Sequence, residues 1–397
     1  MEALILSCST GGGHNAAGQA ITDELNLLDW KTHFFDPYTL LSQKTADLVG
    51  ENYVNLVRFS PALFGYVYKI GELYQKAEKA FGLPDPVLAV QAHAAKALYE
   101  WMQKNPVDIV ICTQPYPGLM LTWLEKRGYQ TPPSIMVPTD YTCIPFECDV
   151  NTTWMTLPYP ALADEFHAEG VPYDKLIPTG IPINPVFSKP MTRQQAAQNL
   201  ELDPSKRYIL VGGGSMGTNG ISDILKELAP LLESSEDLEA LVLCGSNQGL
   251  EERIISAKLP HVHPLGFTHQ MVDYLHLCSV YITKPGGLSI TEASACKTPL
   301  LLANPIPGCE TINAEFFEKH DLALYARTLA DIRPMTEQLL ARPQDTSSKP
   351  SWFAGNTKRL ADWVECAVML NEMKKEAIQS VQDPDGSSKA DSSENFL

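Results

Sequence analysis

The chain of 397 residues carries 30 Lys+Arg against 47 Asp+Glu, a formal net charge of −17, with 44% hydrophobic and 19% charged residues. This is the composition of a globular protein long enough for two domains with separate cores, and its acidity excludes a general nucleic-acid binder, which needs a basic face. No apolar run approaches the ~20 residues that span a bilayer. The start Met1-Glu2-Ala3-Leu4-Ile5-Leu6 enters a strand without the basic segment of a signal peptide, so a cytosolic location is expected.

In chain order, the first strand is predicted at 3–7. It runs through Ser9-Thr10-Gly11-Gly12-Gly13-His14 into a helix from Gly13 to Leu28. Further strands are expected at 31–35, 108–112, 134–138 and 153–157. The stretch 44–104 is helical in character and rich in aromatics, with seven Lys/Arg against six Asp/Glu in an otherwise acidic chain. Most of these aromatics fit ordinary helix packing. Phe64, Tyr68 and Lys69 are also what a helical excursion resting on a bilayer interface would present.

Thr179-Gly180-Ile181-Pro182-Ile183-Asn184-Pro185 reads as a linker between two strand-helix patterns. The second pattern has strands at 207–212, 239–244, 280–283 and 299–303, with helices near 219–234, 248–257, 268–277 and 287–297. Such alternation calls for parallel sheets covered on both faces, and the fold class is α/β with two Rossmann-like domains facing a cleft. The expected units are 1–181, 182–351, a helical segment 352–378 and a disordered tail 379–397. The nine cysteines have no C-x-x-C pair and are expected to be reduced thiols. Cys143 and Cys148 read as loop residues.

Three Gly-rich turns carry the chemistry. The second is Val211-Gly212-Gly213-Gly214-Ser215-Met216-Gly217, and the third is Lys284-Pro285-Gly286-Gly287-Leu288-Ser289-Ile290-Thr291-Glu292. A strand, a Gly turn and a helix aim backbone N–H groups at an anion. Neither of the first two turns matches a P-loop or a complete dinucleotide fingerprint, which demotes ATPase and plain NAD chemistry. The second turn suits a nucleotide diphosphate, and Glu292 can accept both hydroxyls of a ribose. A first-turn carboxylate that complements the helix dipole would look the same.

Lys284 has two readings, a solvated strand-end charge or a neighbour of the diphosphate loop, with the first given more weight. His14, at the mouth of the first unit, suits proton removal from a hydroxyl, or else merely caps its helix. Asp36 and Asp140 stand at strand ends as candidate orienting groups or turn caps. The sole Asp-x-Asp, Asp383-Pro384-Asp385, falls in the expected tail, so no metal site is expected and the leaving diphosphate is left to preorganised N–H groups.

These motifs, with Gly266-Phe267 and Pro307-Gly308-Cys309-Glu310-Thr311-Ile312-Asn313-Ala314, resemble the monogalactosyldiacylglycerol synthase and processive diacylglycerol glucosyltransferase family over essentially 1–375. The resemblance implies a glycosyltransferase B fold, a UDP-hexose donor, inversion, no metal or other cofactor, and a diacylglycerol-type acceptor met at the inner face of the membrane. It also implies His14 as the catalytic residue. The implied donor contacts are Gly213, Gly214, Ser215, Met216, Phe267 (at the uracil), Gly286, Gly287, Leu288, Ser289 and Glu292 (at the ribose), with Gly308, Cys309, Glu310 and Asn313 at the sugar. Gly12, Gly13, Gln114 and Asp140 fall on the acceptor side. Cys309 stands where the family usually has Gln, and Gln114 where it tends to have His. Alternatives are a muramyl-lipid N-acetylglucosaminyltransferase, a UDP-sugar epimerase and a non-catalytic UDP-sugar-binding module.

Overall fold

A computed structural model describes residues 1–8, 12–49, 91–213, 220–342 and 351–382, with side chains up to Met373. Residues 50–90, with Phe64, Tyr68 and Lys69, and residues 214–219, with Gly214, Ser215 and Met216, lie outside the described residues.

Two six-stranded parallel sheets form the frame. The first contains β1 (Glu2–Leu6), β2 (Lys31–Phe35), β3 (Ile109–Cys112), β4 (Ser134–Met136), β5 (Trp154–Thr156) and β6 (Leu176–Ile177), in the order β2-β1-β3-β4-β5-β6. The second contains β7 (Arg207–Gly212), β8 (Leu238–Leu243), β9 (Val262–Leu265), β10 (Val280–Thr283), β11 (Leu300–Leu302) and β12 (Leu324–Tyr325), in the order β12-β11-β10-β7-β8-β9. Strand β1 shows why the strands read as unbroken apolar runs. Leu4 and Leu6 pack to one face of the sheet and Ala3 and Ile5 to the other, because both faces are covered. In β7, Tyr208 and Leu210 part from Ile209 and Val211 in the same way.

Most expected strands are present within a residue or two of their ends. Three were not expected: β6, β9 and β12. Two of them are two residues long and β9 contains a proline, too little for a periodic signal.

Helix α1 (Gly12–Leu27) buries Ala17, Ala20, Ile21 and Leu25 against the first sheet. Helix α2 (Ala92–Lys104) follows the undescribed segment, and α3 (Pro115–Glu125) lies almost wholly in the core. The short α4 (Ala163–Ala168) and α5 (Arg193–Asn199) bracket the crossing between sheets. The second sheet is covered by α6 (Ile221–Glu233), α7 (Gln248–Ala257), α8 (Met271–Leu277), α9 (Gly287–Ala295), α10 (Cys309–Lys319) and α11 (Ile332–Leu340).

The last helix, α12 (Asn356–Gln382), returns to the first sheet. Its Leu360, Ala361, Val364 and Val368 share a core with Ile5, Ile21, Leu25 and Ile111, and Trp363 meets Trp154 edge-on at 4.8 Å. It is pinned to the linker at its start. Asn356 donates to the Ile181 carbonyl at 2.9 Å, and Thr357 both donates to the Ile183 carbonyl and accepts from the Ile183 N–H. The helix runs to Gln382, four residues past the expected end of the helical segment at 378.

The cysteines are not all reduced thiols. Cys143 and Cys148 form a disulfide with Cα atoms 6.6 Å apart. The tight turns Glu147 N–H to Ile144 and Val150 N–H to Glu147 fold the loop back on itself, which a five-residue spacing does not reveal. The other seven cysteines are free.

The packing of α12 on the first sheet yields a prediction. Leu360→Ala, at a site with no exposure, should lower unfolding stability by about 2–5 kcal/mol, read as an earlier denaturant midpoint.

Candidate active site

The strand orders locate the cleft. In the first sheet the strand order reverses between β1 and β3, and in the second between β7 and β10. Ligands of open parallel sheets bind beyond the carboxyl ends of strands at such switch points. His14 lies beyond β1 and Thr113-Gln114 beyond β3. The Gly213 turn lies beyond β7, and Lys284-Pro285-Gly286 beyond β10.

The two carboxyl edges touch. Thr139-Asp140-Tyr141, beyond β4, presses its backbone onto the first residue of α9, and a β-carbon at Gly287 would overlap the Thr139 carbonyl oxygen. Asn313 on α10 fixes this contact. Its Oδ1 accepts from the Tyr141 N–H at 2.6 Å, and its Nδ2 donates to Asp140 Oδ1 at 2.7 Å and to the Pro285 carbonyl at 3.0 Å. Asn313 has no solvent exposure. The Tyr141 hydroxyl meets Thr291 Oγ1 at 2.6 Å, and its ring stacks on Phe316 at 5.4 Å. A β-carbon at Gly13 would come within 3.2 Å of Leu288. Gly13, at the start of α1, therefore faces Leu288, at the start of α9.

His14 is half-buried at the start of α1. Its Nδ1 lies 2.8 Å from the Thr113 carbonyl and 3.0 Å from Thr139 Oγ1. A carbonyl only accepts, so the network assigns the proton to Nδ1 and leaves Nε2 with the lone pair in the neutral ring. Burial holds the imidazole below its ordinary value, while the Asp140 carboxylate and the Thr113 carbonyl act in the opposite direction. The ring is thus kept neutral and basic at one defined nitrogen.

Glu292 sits on α9, half-buried, and its side chain has no hydrogen-bond partner among the described residues. Desolvation raises its carboxyl to about 8. Glu310, in the first turn of α10, is bound by Lys284 Nζ on Oε1 and by the Ile306 N–H on Oε2 at 2.8 Å. Lys284 is therefore paired and largely buried, and the solvated strand-end reading does not hold. No group of three or more His, Cys, Asp or Glu able to hold a metal ion occurs among the described residues.

A family model described as monogalactosyldiacylglycerol (MGDG) synthase matches residues 14–183, and one described as the glycosyltransferase family 28 C-terminal domain matches residues 208–345. The chain belongs to this glycosyltransferase family. The processive diacylglycerol beta-glucosyltransferase of Bacillus subtilis (strain 168) is 26% identical to it over 94% of this chain and 95% of that one. Among solved structures, MurG of Acinetobacter baumannii superposes with a TM-score of 0.57 at 15% identity, covering 92% of this chain and 99% of its own. The UDP-GlcNAc 2-epimerase of Neisseria meningitidis bound to UDP-GlcNAc does so with 0.59 at 12%, covering 94% and 100%. These two likenesses show the glycosyltransferase B fold alone.

The remaining candidate residues of the glycosyltransferase are distributed as follows. Phe267 is 63% exposed, with its ring edge-on to His269 at 5.0 Å. Gln114 is buried and caps α3, its Oε1 accepting the Tyr116 N–H at 2.6 Å. Asp36 likewise caps the short turn Pro37–Leu40. Gly308 precedes α10 at φ 113°, and Cys309 opens that helix half-buried, its thiol pushed up by burial and by Asp140 and Glu310. Gly12 and Gly13 open α1, Gly213 follows β7, and Leu288 and Ser289 lie in the first turn of α9. Sequence reasoning missed Thr139 and Tyr141. Their one signal was their place beside Asp140 at a strand end.

The state of Glu292 can be tested by pH. Its folded carboxyl titrates near 8 against an ordinary 4.5, so the folded chain holds an extra proton across that window and loses stability as pH rises through it. Glu292→Gln should therefore be more stabilising relative to wild type at pH 8 than at pH 5, read by urea unfolding of ligand-free protein at both values.

Proposed function

We propose that the protein transfers a hexose, glucose or galactose, from a UDP-sugar to diacylglycerol or a related lipid hydroxyl at the inner membrane surface. Residues 1–181 present the acceptor and 182–351 hold the donor. The observation that carries this reading is His14, its Nδ1 committed to the Thr113 carbonyl, set beside the contact of Gly13 with Leu288 on the donor-side helix α9. The naming of the full-length relatives as diacylglycerol glucosyltransferases supports the choice of acceptor.

The chemistry follows from the parts. His14 Nε2 takes the acceptor proton as the hydroxyl oxygen attacks the anomeric carbon from the first-sheet side. The bond from that carbon to the diphosphate oxygen breaks with inversion, and UDP leaves with the electron pair. Glu292 accepts the ribose hydroxyls and Phe267 lies against the uracil. Charge on the departing diphosphate falls to backbone N–H groups near the start of α6 and α9, so turnover needs no metal. The described residues contain no helix long and apolar enough to cross a membrane, and lipid contact is assigned to the 44–104 segment.

Three measurements check the reading. Purified protein with labelled UDP-glucose or UDP-galactose and diacylglycerol vesicles should yield a labelled glycolipid, and turnover should persist in EDTA. An absence of lipid product with either donor overturns the proposal. His14→Ala should lower kcat by about 10²–10⁴-fold with UDP affinity nearly unchanged. Wild-type kcat in that variant would remove His14 from the reaction.

A further inference from the structure

The ion pair between Lys284 and Glu310 is more than a link between two elements of one sheet edge. Its side chains are only 17% and 8% exposed, so neither charge is held by solvent. Both Glu310 oxygens are engaged, one by Lys284 and the other by the Ile306 N–H, which leaves the carboxylate a single orientation. The pair lies directly over Gly286. A β-carbon there would stand 3.4 Å from Lys284 Nζ and 3.5 Å from Glu310 Oε1. Gly286 caps α9 at the switch point of the second sheet, whereas Glu292, whose side chain has no hydrogen-bond partner among the described residues, lies more than a turn further along that helix. The edge therefore offers two separate carboxylates, of which Glu310 is clamped on both oxygens.

We propose that Lys284 is a positioning residue for donor recognition, clamping Glu310 so that this end of the site reads the hexose while Glu292 reads the nucleoside. The inference rests on the UDP-sugar reading above. A carboxylate clamped on both oxygens keeps its remaining lone pairs fixed toward hydroxyl groups, without reorganisation when the sugar arrives. Removing Lys284 leaves Glu310 buried with an uncompensated charge, which displaces the carboxylate or protonates it. Either change falls on the sugar contact. UDP, which lacks the hexose, does not use that contact.

The test is calorimetric titration of UDP and of UDP-hexose into wild type, Lys284→Met, Glu310→Gln and the double variant, with thermal midpoints recorded for each. Lys284→Met should weaken UDP-hexose about tenfold or more, as for loss of a hydrogen bond to a charged group, while UDP changes less than about twofold. The double variant should lose no more than the worse single one, because the two residues act as one unit. Should Lys284→Met fail to fold, Lys284→Arg replaces it. The arginine keeps the charge but not the point contact, and should again weaken UDP-hexose more than UDP.

Equal weakening of both ligands would place Lys284 on the diphosphate and overturn the clamp. Unchanged binding of both would make the pair a structural link and overturn it equally. Wild-type protein that binds neither ligand would instead overturn the UDP-sugar reading, and this inference with it.

Discussion

The insertion of the Thr139-Asp140-Tyr141 backbone against the bare Cα of Gly287 is the constraint on which the rest of the site depends. At that point the carboxyl edges of two parallel sheets approach to backbone contact, and any side chain at 287 would hold them apart. The approach buries polar groups that then need partners. Asn313 supplies them, using one amide to satisfy the Tyr141 N–H, the Asp140 carboxylate and the Pro285 carbonyl. The hydroxyl of fully buried Tyr141 finds Thr291. The contact is thus polar at its centre and aromatic around it, with Phe316, Phe317 and Phe353 against the Tyr141 ring.

This arrangement couples the two halves electrostatically. Asp140 is held by Asn313 from the second half and acts on His14 in the first, opposing the desolvation that depresses the imidazole. Thr139, on the same three-residue segment, contacts His14 Nδ1. A shift of α9 or α10 would therefore reach the histidine through a short chain of packed groups. The return of α12 to the first sheet, pinned at Asn356 and Thr357 to the linker, makes the chain ends of both halves part of one frame.

Much of the fold was legible from local pattern. Strands buried on both faces read as apolar runs such as Leu4-Ile5-Leu6 and Ile209-Leu210-Val211, and Gly turns mark where each runs into a helix. The third Gly turn was recognisable with its Glu292, and His14 with the first. The short edge strands β6 and β12 carried no such signal, because two residues cannot display a period. The Cys143–Cys148 bridge was equally hidden, since a loop's return is set by tertiary packing and not by spacing.

What the sequence determined by itself is the inventory: two parallel α/β units, three Gly turns, a histidine and carboxylates placed at strand ends, each written in a few neighbouring residues. Only the tertiary structure decided how they pair. That Lys284 belongs to Glu310, and that Asn313 is spent on Asp140 and Tyr141, are facts about residues 26 to 173 positions apart. Local propensity and periodicity act over a turn or a strand, whereas burial and hydrogen-bond satisfaction are decided by whatever the fold brings alongside.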